Sequence, residues 1–113
     1  MQPYWENGTT QLFQADAADL WFIPDETVQC VIAHPPYFGE VDYGLGRDAL
    51  GCEPDVRDYV ENLVCALRDA RRVLMPDGYL LLVLGDKDYN LVPARTVLAL
   101  QNDDWIPVQT IIW

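Results

Sequence analysis

The spacing of apolar residues changes along the chain, and the changes mark its elements. Residues 28–33 (Val28-Gln29-Cys30-Val31-Ile32-Ala33) are rich in β-branched side chains, with Pro24-Asp25 before them and two prolines after. They read as a buried strand of a parallel sheet, stopped where proline removes a backbone donor and fixes φ. Farther on the period lengthens: Val56, Val60, Leu63, Leu67, Ala70 and Leu74 recur at helical spacing as one apolar stripe. Pro54 and Asp55 suit a first turn, with Asp55 or Asp58 satisfying free amides there. Arg68, Arg71 and Arg72 fall near the other end, where positive charge suits the helix dipole. Pro76-Asp77-Gly78 breaks this helix, and the apolar run 79–84 is a second buried parallel strand. Strand, helix and strand in that order make a βαβ unit with covered sheet faces.

The flanks are less regular. Asn7-Gly8 marks a turn, residues 11–15 are a short strand ended by Asp16, and residues 19–23 form one helical turn. Residues 38–53 carry Gly39, Gly44, Gly46 and Gly51 and read as a mobile loop. The pair Gly44 and Gly46 neither follows a predicted strand nor opens a helix, as a dinucleotide loop does. Pro93 starts a second helix running to about residue 100, with Val97 and Leu98 inward, and Asn102-Asp103-Asp104 closes it. Residues 105–113 are a third long strand. The predicted fold class is α/β, a mainly parallel sheet of strands 11–15, 28–33, 79–84 and 105–113 with flanking helices.

Length and composition narrow this picture. The 113 residues allow one domain, 1–113, with a small core, and half of them are apolar, which excludes disorder by composition. There is no long apolar run and no basic leader, so neither a membrane span nor a signal peptide is expected. Cys30, Cys52 and Cys65 are odd in number and widely spaced. They read as reduced thiols of a cytoplasmic protein, with no disulfide frame and no metal site. The net charge is -11 and Lys87 is the single lysine. A free-standing DNA-binding domain carries a basic footprint. The acidic balance therefore reads as a solvated surface, or as a sign that nucleic-acid contacts lie on another segment or partner.

The candidate chemistry sits where the first long strand ends, at His34-Pro35-Pro36-Tyr37. Ligands of open α/β sheets bind at that edge, and His34, preceding a proline, is held extended. One reading is a rigid turn with an aromatic lid. The other is a site for methylating an exocyclic amine of a nucleobase. Such an amine is a poor nucleophile because its lone pair is delocalised into the ring. Acceptors at the His34 side chain and the Pro35 carbonyl would draw it toward a tetrahedral state, while the Tyr37 ring stacks on a flipped base. A neutral imidazole accepts one hydrogen bond, and its unperturbed pKa of about 6.5 makes that form available near neutrality. Asp86, at the end of the second strand, either contacts substrate or caps the segment that follows.

The chain resembles the amino-methylating DNA methyltransferases, which make N4-methylcytosine or N6-methyladenine. Their signature is Asp, Asn or Ser followed by Pro-Pro and an aromatic residue, and His34-Pro35-Pro36-Tyr37 stands in its place. Further stretches match in order along nearly the whole chain: Leu12-Phe13-Gln14-Ala15-Asp16, Val41-Asp42-Tyr43-Gly44, Arg71 to Gly78, Leu84-Gly85-Asp86 and Ile111-Ile112-Trp113. The resemblance implies a partial Rossmann-like methyltransferase fold. It also implies site-specific methyl transfer from S-adenosylmethionine to cytosine N4 or adenine N6 of DNA, as in restriction-modification. His34, Pro35, Pro36 and Tyr37 would then be catalytic, Asp16 would meet the cofactor, and Tyr43 and Asp86 the substrate. Two features depart from the family: histidine at position 34, and no Phe-x-Gly-x-Gly cofactor loop. In the order-permuted branch the signature half comes first and the cofactor half last. The expectation is thus a target-base half that contacts DNA through segments outside it and pairs with itself or with a second half. A non-catalytic acidic module that mimics DNA, and a methyltransferase of RNA, are the other classes left open.

Overall fold

The computed structural model describes residues 1–40, 42–46 and 48–113. Val41, in the stretch likened above to the segment after the signature, lies outside them, as does Arg47. The elements in order are β1 (Trp5–Glu6), β2 (Gln11–Leu12), β3 (Val28–Ala33), α1 (Val56–Val73), β4 (Leu74–Leu82) and α2 (Val92–Asn102). β1 pairs with β2, and β3 with β4, in two separate sheets. The chain is α/β, and it divides into two compact units, Met1–Val31 with Ala66–Leu80 and Ile32–Cys65 with Leu81–Trp113.

In the first unit β1 and β2 are antiparallel, with Trp5 opposite Leu12 and Glu6 opposite Gln11. The Asn7 carboxamide closes the turn by accepting from the amides of Thr9 and Thr10 at 2.9 and 2.8 Å. The strand expected at 11–15 is therefore only Gln11–Leu12, and it belongs to this hairpin rather than to a parallel sheet. The reason is chain economy: closing a short local loop costs less entropy than pairing with a distant strand. Residues 19–23 make a turn, with the Ile23 amide on the Leu20 carbonyl at 2.8 Å. The rings of Phe13 and Phe22 meet at a tilt of 40°, centres 4.7 Å apart.

Arg72, in the last turn of α1, holds this irregular segment. Its guanidinium donates to the carbonyls of Ile23 (3.0 Å) and Leu20 (2.9 Å) and to the carboxylates of Asp25 (2.5 Å) and Asp69 (2.6 Å). Asp69 also accepts from the Leu20 amide. The Arg72 hydrogen bond and that amide hold the Asp69 carboxyl below the ordinary carboxylate range. Sequence pattern assigned Arg72 to the helix dipole; the structure gives its guanidinium this set of partners as well.

α1 passes into β4 without a loop, so the helix ends before Pro76, and β4 starts earlier than the expected 79–84. The Thr27 amide already reaches the Val73 carbonyl at 2.9 Å. Gly78 is required where β4 passes β3, because a Cβ there would lie 2.9 Å from the Gln29 carbonyl oxygen and 2.9 Å from the Leu74 side chain. In the second unit the Val83 amide donates to the Ala33 carbonyl at 2.9 Å. Partners on both strands thus advance together, and the pair is parallel.

The expected α1 stripe is buried at Val60, Leu63, Leu67, Ala70 and Leu74, and Tyr59 and Val73 join it. Burying one such leucine contributes about 1.5–3 kcal/mol. The strands are less covered than expected. Ile32 is 73 % exposed, Tyr79 57 % and Leu81 49 %, and Cys30 is exposed rather than buried. Side chains alternate across a strand, and alternate positions here face outward uncovered.

Two further expectations are corrected. α2 buries Val92, Thr96 and Leu100, while Val97 and Leu98 are exposed. Val92 sits inward at the capped start of the helix, and the i, i+4, i+8 row follows from it. Residues 105–113 form no strand, and Ile106, Val108 and Ile112 are exposed. β-propensity reflects fit to neighbouring strands, and among the described residues none lies beside this segment. No helix among the described residues is long and apolar enough to cross a membrane.

Candidate active site at the end of strand β3

His34 follows directly on β3, where the Ala33 carbonyl still accepts from Val83. The next residues line an open hollow of about 480 Å³, bounded by His34, Pro35, Pro36, Tyr37, Glu40 and Tyr43. That volume lies within the range of small-molecule sites. His34 is exposed and Tyr37 half-buried. The Nε2 atom of His34 lies 2.8 Å from the Tyr37 hydroxyl, and the two rings are 5.3 Å apart at 45°.

The backbone beneath these side chains is held from α1. Tyr59 is fully buried, and its hydroxyl donates to the Pro36 carbonyl at 2.8 Å. Burial pushes the Tyr59 phenol up to about 12, and the nearby Glu53 carboxylate adds to the shift. The phenol is therefore a committed donor at ordinary pH. Its ring also meets Phe38, centre to centre 5.7 Å. The Pro36 carbonyl is thus engaged, and Pro35 beside it lines the hollow.

The loop after the signature is tied at both ends. Glu53, buried, accepts from the Gly51 amide at 2.8 Å and from the Asn62 side chain at 3.2 Å. The Gly51 carbonyl in turn accepts from the Gly39 amide at 2.8 Å. Gly51 has φ +98°, and a Cβ there would lie 2.9 Å from the Tyr37 carbonyl oxygen. On the other side Gly85, just past β4, lies against the Tyr37 ring, since a Cβ at Gly85 would come within 2.7 Å of Cε2. Glycine is the residue type that permits such close approach.

This geometry can present hydrogen-bond acceptors beside an aromatic face. The profile of a DNA methylase family, N6_N4_Mtase, matches residues 28–113, which contain the whole hollow. The chain belongs to this N6/N4 DNA methylase family. It is 36% identical over 124 residues to type II methyltransferase M.SfiI of Streptomyces fimbriatus, covering 90% of this chain and 29% of that protein. It is 34% identical over 124 residues to M.SmaI of Serratia marcescens, covering 80% and 42%. With M.Cfr9I of Citrobacter freundii identity is 30% over 146 residues, covering 99% and 48%. The chain thus spans about half or less of the length of these relatives. No solved structure matches it.

Of the residues expected at a methylase site, His34, Pro35, Pro36, Tyr37 and Tyr43 come together around the hollow. Asp86 does not line it. Its carboxylate accepts from the Val92 amide at 3.3 Å and so caps α2, whose N-cap residue Leu91 has no side-chain cap of its own. Asp16 lies in the first unit, where its carboxylate accepts from the Ala18 amide at 2.9 Å. Sequence reasoning missed Glu40, Tyr59 and Glu53, and it named Gly85 only within the stretch Leu84-Gly85-Asp86. Tyr59 left a signal, because it stands four residues before Leu63 on the same helical row. Glu40 and Glu53 left none, since polar residues of an irregular loop carry no periodicity.

Proposed function

We propose that this chain carries the target-base half of a site-specific DNA amino-methyltransferase, which methylates cytosine N4 or adenine N6. The supporting observation is the juxtaposition of His34, Pro35 and Tyr37 around one hollow at the end of β3. A flipped base stacks on Tyr37, paying a few kcal/mol for unstacking. Its exocyclic amine donates one hydrogen to the Pro35 carbonyl and the other to the His34 imidazole. Both bonds draw the nitrogen lone pair out of the ring and make it nucleophilic. The curated relatives are named type II methyltransferases, and we assign this protein the same restriction-modification setting in the cytoplasm.

S-adenosylmethionine is the methyl donor that membership of the family implies. The described residues do not build its cradle. Gly44 and Gly46 lie in an irregular loop, and the next helix opens only at Val56. We assign the cradle, and the positive surface that a DNA substrate requires, to residues beyond this span. A partial Rossmann-like domain, completed by those residues or by a second chain, accounts for the relatives' greater length.

The test is methyl transfer from labelled S-adenosylmethionine to DNA by the full-length protein, with the modified nucleoside identified. His34→Ala is expected to lower the rate by about 100-fold, the range of one lost hydrogen-bonding group at the reacting centre, and Tyr37→Ala by about 10- to 100-fold, the worth of one base–aromatic stack. Folding should stay intact by circular dichroism. Undiminished transfer by either variant refutes the assignment, and transfer to RNA alone redirects it.

A further inference from the structure

His34 is the chain's only histidine, and one of its ring nitrogens is already engaged. A neutral imidazole carries one N–H and one lone pair, and the partner of one nitrogen settles the state of the other. If the Tyr37 hydroxyl donates to Nε2, the proton sits on Nδ1, and His34 cannot accept from an amine. If the hydroxyl accepts from Nε2–H, Nδ1 keeps its lone pair.

We propose that the Tyr37 hydroxyl accepts from Nε2–H and so holds His34 as an Nδ1 acceptor, which makes the hydroxyl a positioning group distinct from the stacking ring. This rests on the amine-acceptor role assigned to His34 above. Three observations carry it. The two groups are 2.8 Å apart, a full hydrogen bond. The phenol stands on a fixed post, because Gly85 abuts its ring and Gly51 its carbonyl. Tyr59 holds the adjoining Pro36 carbonyl. With the phenol oxygen accepting from His34, its own hydrogen is left for another acceptor, and Glu40, which as a carboxylate only accepts, lines the same hollow. One side chain thereby sets both the plane of the stacked base and the chemical state of the acceptor beside it.

Nitrogen-15 NMR of the single histidine at alkaline pH reads the tautomer in this chain without any activity assay. The expected spectrum has a protonated Nε2 and a bare Nδ1, with averaging between tautomers in Tyr37→Phe. A protonated Nδ1 in the wild type overturns the proposal. In the full-length enzyme Tyr37→Phe keeps the ring, and it is expected to lower kcat about tenfold, the worth of one hydrogen bond, with KM for DNA little changed. In a His34→Asp background, where no tautomer exists to be chosen, the same change is expected to cost only about twofold, because the coupled term is gone. Equal losses in both backgrounds overturn the proposal. A wild-type enzyme that transfers no methyl group strikes the parent reading instead, and the NMR result alone then decides this one.

Discussion

The two ends of α1 each hold an irregular segment, and they do it with opposite chemistry. At the C-terminal end the Arg72 guanidinium grips Leu20, Ile23, Asp25 and Asp69 at once, with its side chain 31% exposed. At the N-terminal end Tyr59 makes one neutral bond to the Pro36 carbonyl from complete burial. A guanidinium offers several donors in a fixed fork, so it can pin a wandering chain at many points. A phenol offers a single direction. Redundant anchoring serves a segment whose task is to stay in place. Single, directed anchoring fixes one backbone carbonyl and leaves the hollow beside it uncovered.

The contrast breaks first at Arg72. Arg72→Ala is expected to cost about 2 kcal/mol in urea unfolding, since it strands part-buried carbonyls and the Asp69 carboxylate together. Arg72→Lys should recover only part of this, because an ammonium lacks the fork. A loss below about 0.5 kcal/mol would place Arg72 among ordinary surface charges.

Tyr59→Phe comes next, at about 1 kcal/mol, the worth of one neutral bond plus an unpaired carbonyl. Its pH signature is distinctive. The folded phenol holds its proton to about 12, against 10.0 for a free tyrosine. Its contribution is therefore complete below pH 10 and is lost as pH rises toward 12. Tyr59→Phe should flatten that alkaline limb in a pH series of melts, and an unchanged limb would assign it to other groups.

Thr96 sharpens what a partner is worth. It is fully buried like Tyr59, yet its hydroxyl has no hydrogen-bond partner among the described residues. Thr96→Val should thus be neutral or gain about 0.5 kcal/mol, where Tyr59→Phe loses, because it removes a desolvated hydroxyl. A clear loss of stability would reveal a partner for it.

The smallest effect is expected at Asp55, which repeats the Arg72 chemistry in the open. Its hydrogen bonds to the Arg57 side chain and amide lower the carboxyl to about 2 from 3.8. The stabilisation is present above pH 3.8 and is lost as pH falls toward 2. Exposed pairs contribute little, so Asp55→Asn should change the acid limb slightly and leave neutral stability nearly untouched. A large change in neutral stability would put the pair on a level with the Arg72 cluster.

By itself the sequence determined what depends on neighbours along the chain. The run Val28–Ala33 is a strand with the predicted bounds, because β-branched residues between prolines have little alternative. The apolar stripe of α1 is buried as its period requires, and the Asn7-Gly8 turn and the placing of His34 to Tyr37 at a strand end are equally local. Tertiary structure alone decided which residues meet across long separations. Tyr59 reaches back to Pro36, Gly85 lies against Tyr37, and Arg72 grips Leu20 and Ile23. It also decided which face of α2 turns inward and that residues 105–113, apolar enough for a strand, have no partner strand among the described residues. Periodicity states that a side chain will be buried or paired. What it will be buried against depends on which elements the fold makes adjacent, and no local pattern carries that information.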